Sequence, residues 1–181
     1  QAFFEWMPIR PFDDNDQEII YRSFQFGDLV SLHMMDTRII ARDRQLDYGD
    51  YLTGDGIDQA AFTAAMANPD RRLIGDAQLA WLDGALEASG TTWQVLGQQV
   101  LMGRMHMPAE MLEKLLALDP SLVDLIGELT ALKMRYLRND PTLTDAEIQR
   151  VTTVLPYNRD AWDGYAVERE RVLALARAKN K

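Results

Sequence analysis

The segment RSFQFGDLVSLHMMDTR, residues 22–38, carries the clearest β signal in the chain. Its first part alternates polar and apolar side chains, whereas residues 29–35 are apolar almost throughout. Gly27-Asp28 between the two parts predicts a two-residue hairpin turn, because Gly readily adopts the positive φ of such turns. A nearly continuous apolar strand is typical of a central strand buried on both faces. We therefore predict a hairpin whose second strand lies inside a sheet.

A helix and a second strand follow this hairpin. Residues 75–89 form the strongest helical pattern, with an apolar stripe at Leu79, Leu82 and Leu86. Residues 92–96 are β-branched and aromatic, as in a buried strand. A buried strand, a crossover containing a helix and another strand make a parallel βαβ unit. The predicted fold class is therefore α/β.

Beyond Gly103 the pattern becomes helical. Helices are predicted at 108–118, 122–137 and 144–152, and Thr144-Asp145-Ala146-Glu147 has the spacing of a capping box. The segment 104–155 reads as a helical excursion, which we interpret as an insertion. A charged helix is predicted over residues 166–181.

The two ends of the chain and its composition limit the function classes. Residues 1–7 predict an aromatic helical end without an initiator Met, so the start is expected to be an excision point. A net charge of -9 argues against a nucleic-acid-binding surface, and no apolar run approaches the ~20 residues of a transmembrane helix. The absence of cysteine excludes disulfides and thiolate nucleophiles, and it fits either redox compartment.

The candidate site lies at the carboxyl ends of the two central strands, where α/β proteins place their ligands. One end carries Asp36 and Arg38, and the other carries Gln98 and Gln99. Arg38 either binds a phosphate or fixes Asp36, and the glutamines either donate to phosphate oxygens or satisfy buried backbone groups. The functional interpretation is that these side chains orient groups supplied by other segments.

The two histidines are weak evidence for a metal site, because they are far apart in the sequence. His33 falls in the apolar strand, where a hydrogen-bonded core histidine is expected, and His106 falls in a methionine-rich stretch. No metal-ligating residue is assigned in this chain. No Gly-x-Ser-x-Gly nucleophile motif occurs either, which argues against a serine hydrolase.

Taken in order along the chain, four blocks resemble the PhoD-like alkaline phosphatases. They are residues 2–10 (AFFEWMPIR), residues 22–29 (RSFQFGDL) with 32–38 (LHMMDTR), residues 75–82 (GDAQLAWL) with 93–100 (WQVLGQQV), and residues 160–165 (DAWDGY) with Glu168-Arg169. The resemblance extends over nearly the whole chain, except for residues 104–155. It implies that residues 1–181 are a partial PhoD-like domain.

The resemblance implies a metallophosphoesterase-like sheet sandwich with a helical insertion. It also implies hydrolysis of phosphate ester substrates at an iron and calcium site, and a periplasmic or extracellular location. The family's metal-binding motifs flank this segment, so the chain alone is expected to bind neither metal and to be inactive. Gly49-Asp50-Tyr51 spells one such motif, but it follows no buried strand and is read as a loop.

Three hypotheses follow. The first is a metal-dependent phosphatase or phosphodiesterase represented by a fragment. The second is a non-catalytic binding or scaffold domain, and the third is a hydrolase of another type. A central strand without its neighbours exposes backbone groups and apolar faces, so self-association of the fragment is also expected.

Overall fold

The computed structural model describes Trp6, residues 18–54 and residues 56–179, so most of the predicted helical end at 1–7 lies outside the described residues. The strands are β1 Arg22–Phe26, β2 Val30–Met34, β3 Leu52–Thr53, β4 Gly56–Ile57, β5 Trp93–Gly97, β6 His106–Pro108 and β7 Val154–Pro156. The helices are α1 Gln59–Met66, α2 Gly75–Ala88, α3 Ala109–Leu116, α4 Leu122–Leu137, α5 Asp145–Thr152 and α6 Ala166–Ala178, with 3₁₀ helices at Tyr48–Tyr51 and Trp162–Tyr165. This mixture of helices and small sheets confirms the α/β class.

The main sheet has three strands in the order β1-β2-β5. β1 pairs with β2 antiparallel, and β2 pairs with β5 parallel. The central position of β2 and the βαβ unit through α2 are therefore confirmed. The two-residue turn is wrong: Phe26 pairs with Val30, so the loop has three residues, and Gly27 supplies its positive φ of 59°. The register shifts by one residue because Leu29 joins the turn, where its N–H donates to the Phe26 carbonyl.

The two faces of this sheet differ from those expected of a strand buried on both sides: one face is polar and covered, and the other is apolar and exposed. Toward α2 the sheet presents a polar network, in which His33 Nε2 donates to Gln94 Oε1 at 3.0 Å and His33 Nδ1 is hydrogen-bonded to Ser23 Oγ at 2.8 Å. His33 is therefore a buried, fully bonded histidine, as predicted. The other face is apolar and solvent-exposed, so burial of β2 on both faces is wrong for this chain. Its exposed members are Phe24, Phe26, Met34, Trp93 and Val95.

The helix α2 and the chain before α6 close the core next to the sheet. Leu82 and Leu86 of α2 are buried together with Trp162, Tyr165 and Val172. The segment around Trp162 packs next to the end of β2, because Met35, which follows β2, belongs to the same cluster. The packing places three distant parts of the sequence beside one another.

The helical segment forms a second group of elements. Its helices match the predicted ones, and the capping box of Thr144 and Glu147 is present. The short antiparallel pair β6-β7 was not predicted, because strands of three residues carry too little periodicity. Buried Leu125, Leu129, Leu132 and Val151 hold α4 against α5. That this segment is an insertion stays a prediction.

No helix within the described residues is both long and apolar enough to cross a membrane.

Tyr48 joins the 3₁₀ helix to the helical segment. It is fully buried, and its hydroxyl donates to the Pro156 carbonyl at 2.7 Å. Burial raises the pKa of Tyr48 to about 12, although the Arg159 guanidinium opposes this rise. The unfolded chain thus releases this proton near pH 10, whereas the folded chain keeps it until about pH 12. Tyr48 therefore stabilises the fold below pH 10, and this contribution is lost as the pH rises toward 12.

The stability of the unmodified chain should fall by about 2 kcal/mol between pH 10 and 12 because of Tyr48, and we expect Tyr48→Phe to abolish this fall, since one pKa unit corresponds to ~1.4 kcal/mol. At neutral pH the variant should lose only about 1 kcal/mol, for the missing hydrogen bond. Urea unfolding across this pH range measures both effects. Half-exposed Tyr157, changed to Phe, is the control. Parallel pH profiles for the Tyr48→Phe variant and the unmodified chain would contradict the assignment.

Candidate functional site

The candidate site begins where β2 and β5 end. Because these strands are parallel and Met34 lies opposite Gly97, the segments that follow them emerge at the same edge of the sheet. Met35 continues the pairing by donating its N–H to the Gly97 carbonyl at 2.8 Å. The four predicted side chains, Asp36, Arg38, Gln98 and Gln99, therefore lie at one edge.

Asp36 is completely buried and shapes the chain at the end of β2. Its Oδ1 accepts the N–H groups of Arg38 at 2.8 Å and Ile39 at 3.0 Å, and its Oδ2 accepts the N–H of Ile40 at 3.0 Å. Both carboxylate oxygens are thus used by the backbone. The turn after β2 depends on this side chain, since the N–H groups of these three residues would otherwise lose their acceptor.

Two glutamine side chains bind the backbone of residues 35–37 as a neighbouring strand would. Gln78 of α2 is completely buried, and its amide both accepts from the Asp36 N–H and donates to the Asp36 carbonyl, each at 2.8 Å. Gln99 accepts from the Thr37 N–H at 3.0 Å and donates to the Met35 carbonyl at 2.9 Å. Gln78 was missed by sequence reasoning. Its position on the same face of α2 as Leu82 and Leu86 was the available signal.

An ion-pair network covers the outer side of this edge. Asp160 accepts from Arg38 Nη1 at 2.7 Å through Oδ2, and from Arg42 Nη2 at 2.5 Å through Oδ1. Arg42 also donates to the Thr37 carbonyl at 3.0 Å, which ties the network to the strand end. Gln98 Oε1 accepts from the Trp162 indole at 2.6 Å. Asp160 and Arg42 were missed because each joins the edge only through tertiary packing.

Among the four predicted residues, Arg38 is the one cation, and it remains partly accessible. Its side chain is 45% exposed, and a guanidinium can bind two phosphate oxygens at once. The carboxylate and the two glutamine amides already serve the chain itself. The edge therefore presents one partly exposed cation, Arg38, which is paired with Asp160.

The carboxylates at this edge, Asp36 and Asp160, do not fit an iron or calcium ion as ligands. Both oxygens of Asp36 accept from the backbone, and those of Asp160 are neutralised by two arginines. No three His, Cys, Asp or Glu side chains in the described parts of the chain come together as a metal-binding group.

The remaining candidate motifs lie elsewhere. Gly49-Asp50-Tyr51 belongs to the 3₁₀ helix Tyr48–Tyr51, where Asp47 accepts from the Gly49 N–H at 2.9 Å. It follows no strand, in agreement with the loop interpretation. His106 lies in β6, with Nε2 at 3.7 Å from Oδ1 of buried Asp163.

The family assignment comes from comparison with known proteins. The sequence profile described as "PhoD-like phosphatase" matches residues 1–181, the whole chain. The chain belongs to the PhoD-like phosphatase family. Alkaline phosphatase D of Bacillus subtilis (strain 168) is 26% identical over 183 residues, covering 99% of this chain and 22% of that protein. The solved structure described as "Structure of PhoD" has a TM-score of 0.55 and 26% identity, covering 99% of this chain and 25% of that one.

The chain thus spans between 22% and 25% of the length of these PhoD-like relatives. Three of the four blocks that carried the resemblance come together in the described structure. Residues 22–38 form the hairpin and its exit, residues 75–82 and 93–100 contain the start of α2 and all of β5, and residues 160–165 contribute Asp160 and Trp162. The block at residues 2–10 lies, apart from Trp6, outside the described residues.

Proposed function

We propose that this chain is part of a metal-dependent phosphoric ester hydrolase, an alkaline phosphatase or phosphodiesterase of PhoD-like type. The observation that carries the proposal is the match of the PhoD-like phosphatase profile to all 181 residues. The similarity to alkaline phosphatase D supports it. A phosphate ester is the proposed substrate.

In this proposal the chain supplies the scaffold and other segments supply the metal ligands. The bonds of Asp36, Gln78 and Gln99 fix the ends of β2 and β5, which supports a positioning role for this edge. Arg38 is the group of this edge that would face a phosphate. Iron and calcium, when bound by other parts of a longer protein, would polarise the phosphoryl group and neutralise its developing charge. We further propose a periplasmic or extracellular location, and a metallophosphoesterase-like sandwich for the complete domain.

The experiment is hydrolysis of p-nitrophenyl phosphate and bis-p-nitrophenyl phosphate by a longer protein that contains this chain. We expect hydrolysis of at least one ester, its loss on treatment with a chelator, and its return when iron and calcium are added. A longer protein that hydrolyses neither ester with both metals present would contradict the proposed function.

A non-catalytic binding or scaffold role is the second candidate. It is favoured by the internal bonds of Asp36, Gln98 and Gln99, which occupy groups that would otherwise meet a ligand. An inactive longer protein that still binds a phosphate ester by calorimetry would support this second role.

A further inference from the structure

The helix α4 has two apolar faces. One is buried against the rest of the chain, and the other is exposed to solvent. Leu125, Leu129 and Leu132 are buried against the rest of the helical segment. A second stripe points to solvent, although a surface helix normally presents polar residues there. Its members and their exposed fractions are Val123 (76%), Ile126 (41%), Met134 (47%) and Leu137 (64%).

This exposed stripe is symmetric about Thr130. Val123 and Leu137 each lie seven residues from Thr130, and Ile126 and Met134 each lie four residues from it. At about 100° per residue, all of them fall within about 40° of the direction of Thr130. Reversing the helix therefore superimposes the stripe on itself, with one apolar side chain replacing another.

Two charged residues of α4, Asp124 and Arg138, are arranged by the same symmetry. Asp124 and Arg138 are exposed, and they lie on the same flank, about 120° and 80° around the helix from Thr130. They stand six residues before and eight residues after Thr130, at similar distances from it along the axis. In an antiparallel pair related by a two-fold axis at Thr130, Asp124 would face the partner's Arg138. Both copies of this contact would form.

Space on the helix also permits close packing. Gly127 lies next to the stripe, and a Cβ built at this position would meet nothing within 4 Å. A small residue beside apolar ones lets a second helix approach closely. Spacings of three and four residues along the stripe are those by which helices pack side by side.

We propose that α4 docks against α4 of a second copy of this chain, antiparallel, about a two-fold axis at Thr130. A two-fold contact requires a surface that complements itself. This stripe complements itself through its apolar residues and through the pairing of Asp124 with the partner's Arg138. An unrelated partner would require no such symmetry. The exposed face of the main sheet is a separate surface, and the proposal does not involve it. A single helix pair is a small interface, so the dimer is reversible and its fraction rises with protein concentration.

Cysteine cross-linking tests this geometry directly, because the chain has no cysteine and each introduced thiol is unique. Thr130→Cys is expected to form a disulfide dimer on mild oxidation. Val123→Cys mixed with Leu137→Cys is expected to form the mixed dimer. Val123→Cys alone should not cross-link, since two copies would stand about 20 Å apart along the axis, beyond the ~7 Å between Cα atoms that a disulfide allows.

Ala131→Cys, rotated about 100° away from Thr130, is the matched control and should form no disulfide dimer on oxidation. Charge reversal gives an independent readout in sedimentation equilibrium of the cysteine-free chain. Asp124→Arg should weaken the dimer several-fold, and adding Arg138→Asp to it should restore the affinity. All these positions are exposed and lie away from the buried face, and circular dichroism tests whether each variant is folded.

The proposal is overturned if Thr130→Cys cross-links no more than Ala131→Cys. It is also overturned if Val123→Cys cross-links with itself, which would indicate a parallel pair. Loss of the Thr130→Cys cross-link in a longer protein carrying this chain would equally overturn it, because another segment would then cover α4.

Discussion

Replacing Glu168 by glutamine is expected to lower the free energy of unfolding by about 3 kcal/mol or more. The Glu168 carboxylate is completely buried and accepts the N–H groups of Leu73, Ile74 at 2.9 Å and Gly75 at 3.0 Å. These N–H groups stand at the start of α2, where the helix dipole favours a negative charge. Glutamine keeps the size of the side chain, but it removes the charge and turns an NH₂ group toward backbone donors.

Urea unfolding measures this loss, and Glu170→Gln in the same helix is the control. Glu170 is half exposed and pairs with exposed Arg104 and Arg177 as well as with Arg169, so solvent screens its charge and its change should cost clearly less than that of Glu168. Equal losses for the two variants would contradict the role given to Glu168. Far-UV circular dichroism of the folded fraction shows whether α2 itself is shortened.

Gly164→Ala is expected to destabilise the chain by about 3 kcal/mol or to prevent folding. A Cβ added at Gly164 would stand 2.0 Å from the Arg159 carbonyl oxygen and 2.9 Å from its carbon. Both atoms belong to the backbone, so a rotamer change cannot relieve the overlap. The 3₁₀ helix Trp162–Tyr165 would have to move, and with it buried Trp162 and Tyr165.

Gly84→Ala is the matched control, because it makes the same change in the middle of α2. A Cβ there meets nothing within 4 Å, and alanine favours helix by about 0.5–1 kcal/mol over glycine. We therefore expect a lower unfolding midpoint for Gly164→Ala and a higher one for Gly84→Ala in thermal denaturation. Similar midpoints for the two variants would show that the segment 159–164 can open without cost.

Much of the fold could be predicted from the sequence, because the signals that decide it are local. The apolar run in residues 29–35 predicted a central strand, the stripe at Leu79, Leu82 and Leu86 predicted α2, and Thr144 with Glu147 predicted the start of α5. The hairpin turn was wrong by one residue, since a positive φ at Gly27 fits a three-residue loop as well. The pair β6-β7 was not predicted, because its two strands are very short and their paired residues are 45 or more positions apart in the sequence.

The candidate site could be predicted only in part. Asp36 and Gln99 were located by their positions after strands, but their bonds depend on how the chain turns in three dimensions. Gln78, Arg42 and Asp160 reach the edge from a helix, a loop and a segment more than a hundred residues away. No local pattern reports such contacts.

The exposed face of the main sheet bears on the expected self-association, which stays a prediction for that surface. Phe26 and Trp93 are 59% and 63% exposed, and the sheet is therefore apolar on its open side and polar on its covered side. The rule that an apolar strand is buried on both faces failed here because the described chain covers one face only.

We propose that this chain is a scaffold whose catalytic metals are bound by residues outside it. The most direct test incubates the purified chain and a longer protein containing it with iron and calcium, removes free metal, and measures bound metal together with bis-p-nitrophenyl phosphate hydrolysis. We expect stoichiometric bound metal and hydrolysis for the longer protein, and neither for the chain alone. Stoichiometric metal and hydrolysis by the chain alone would contradict it.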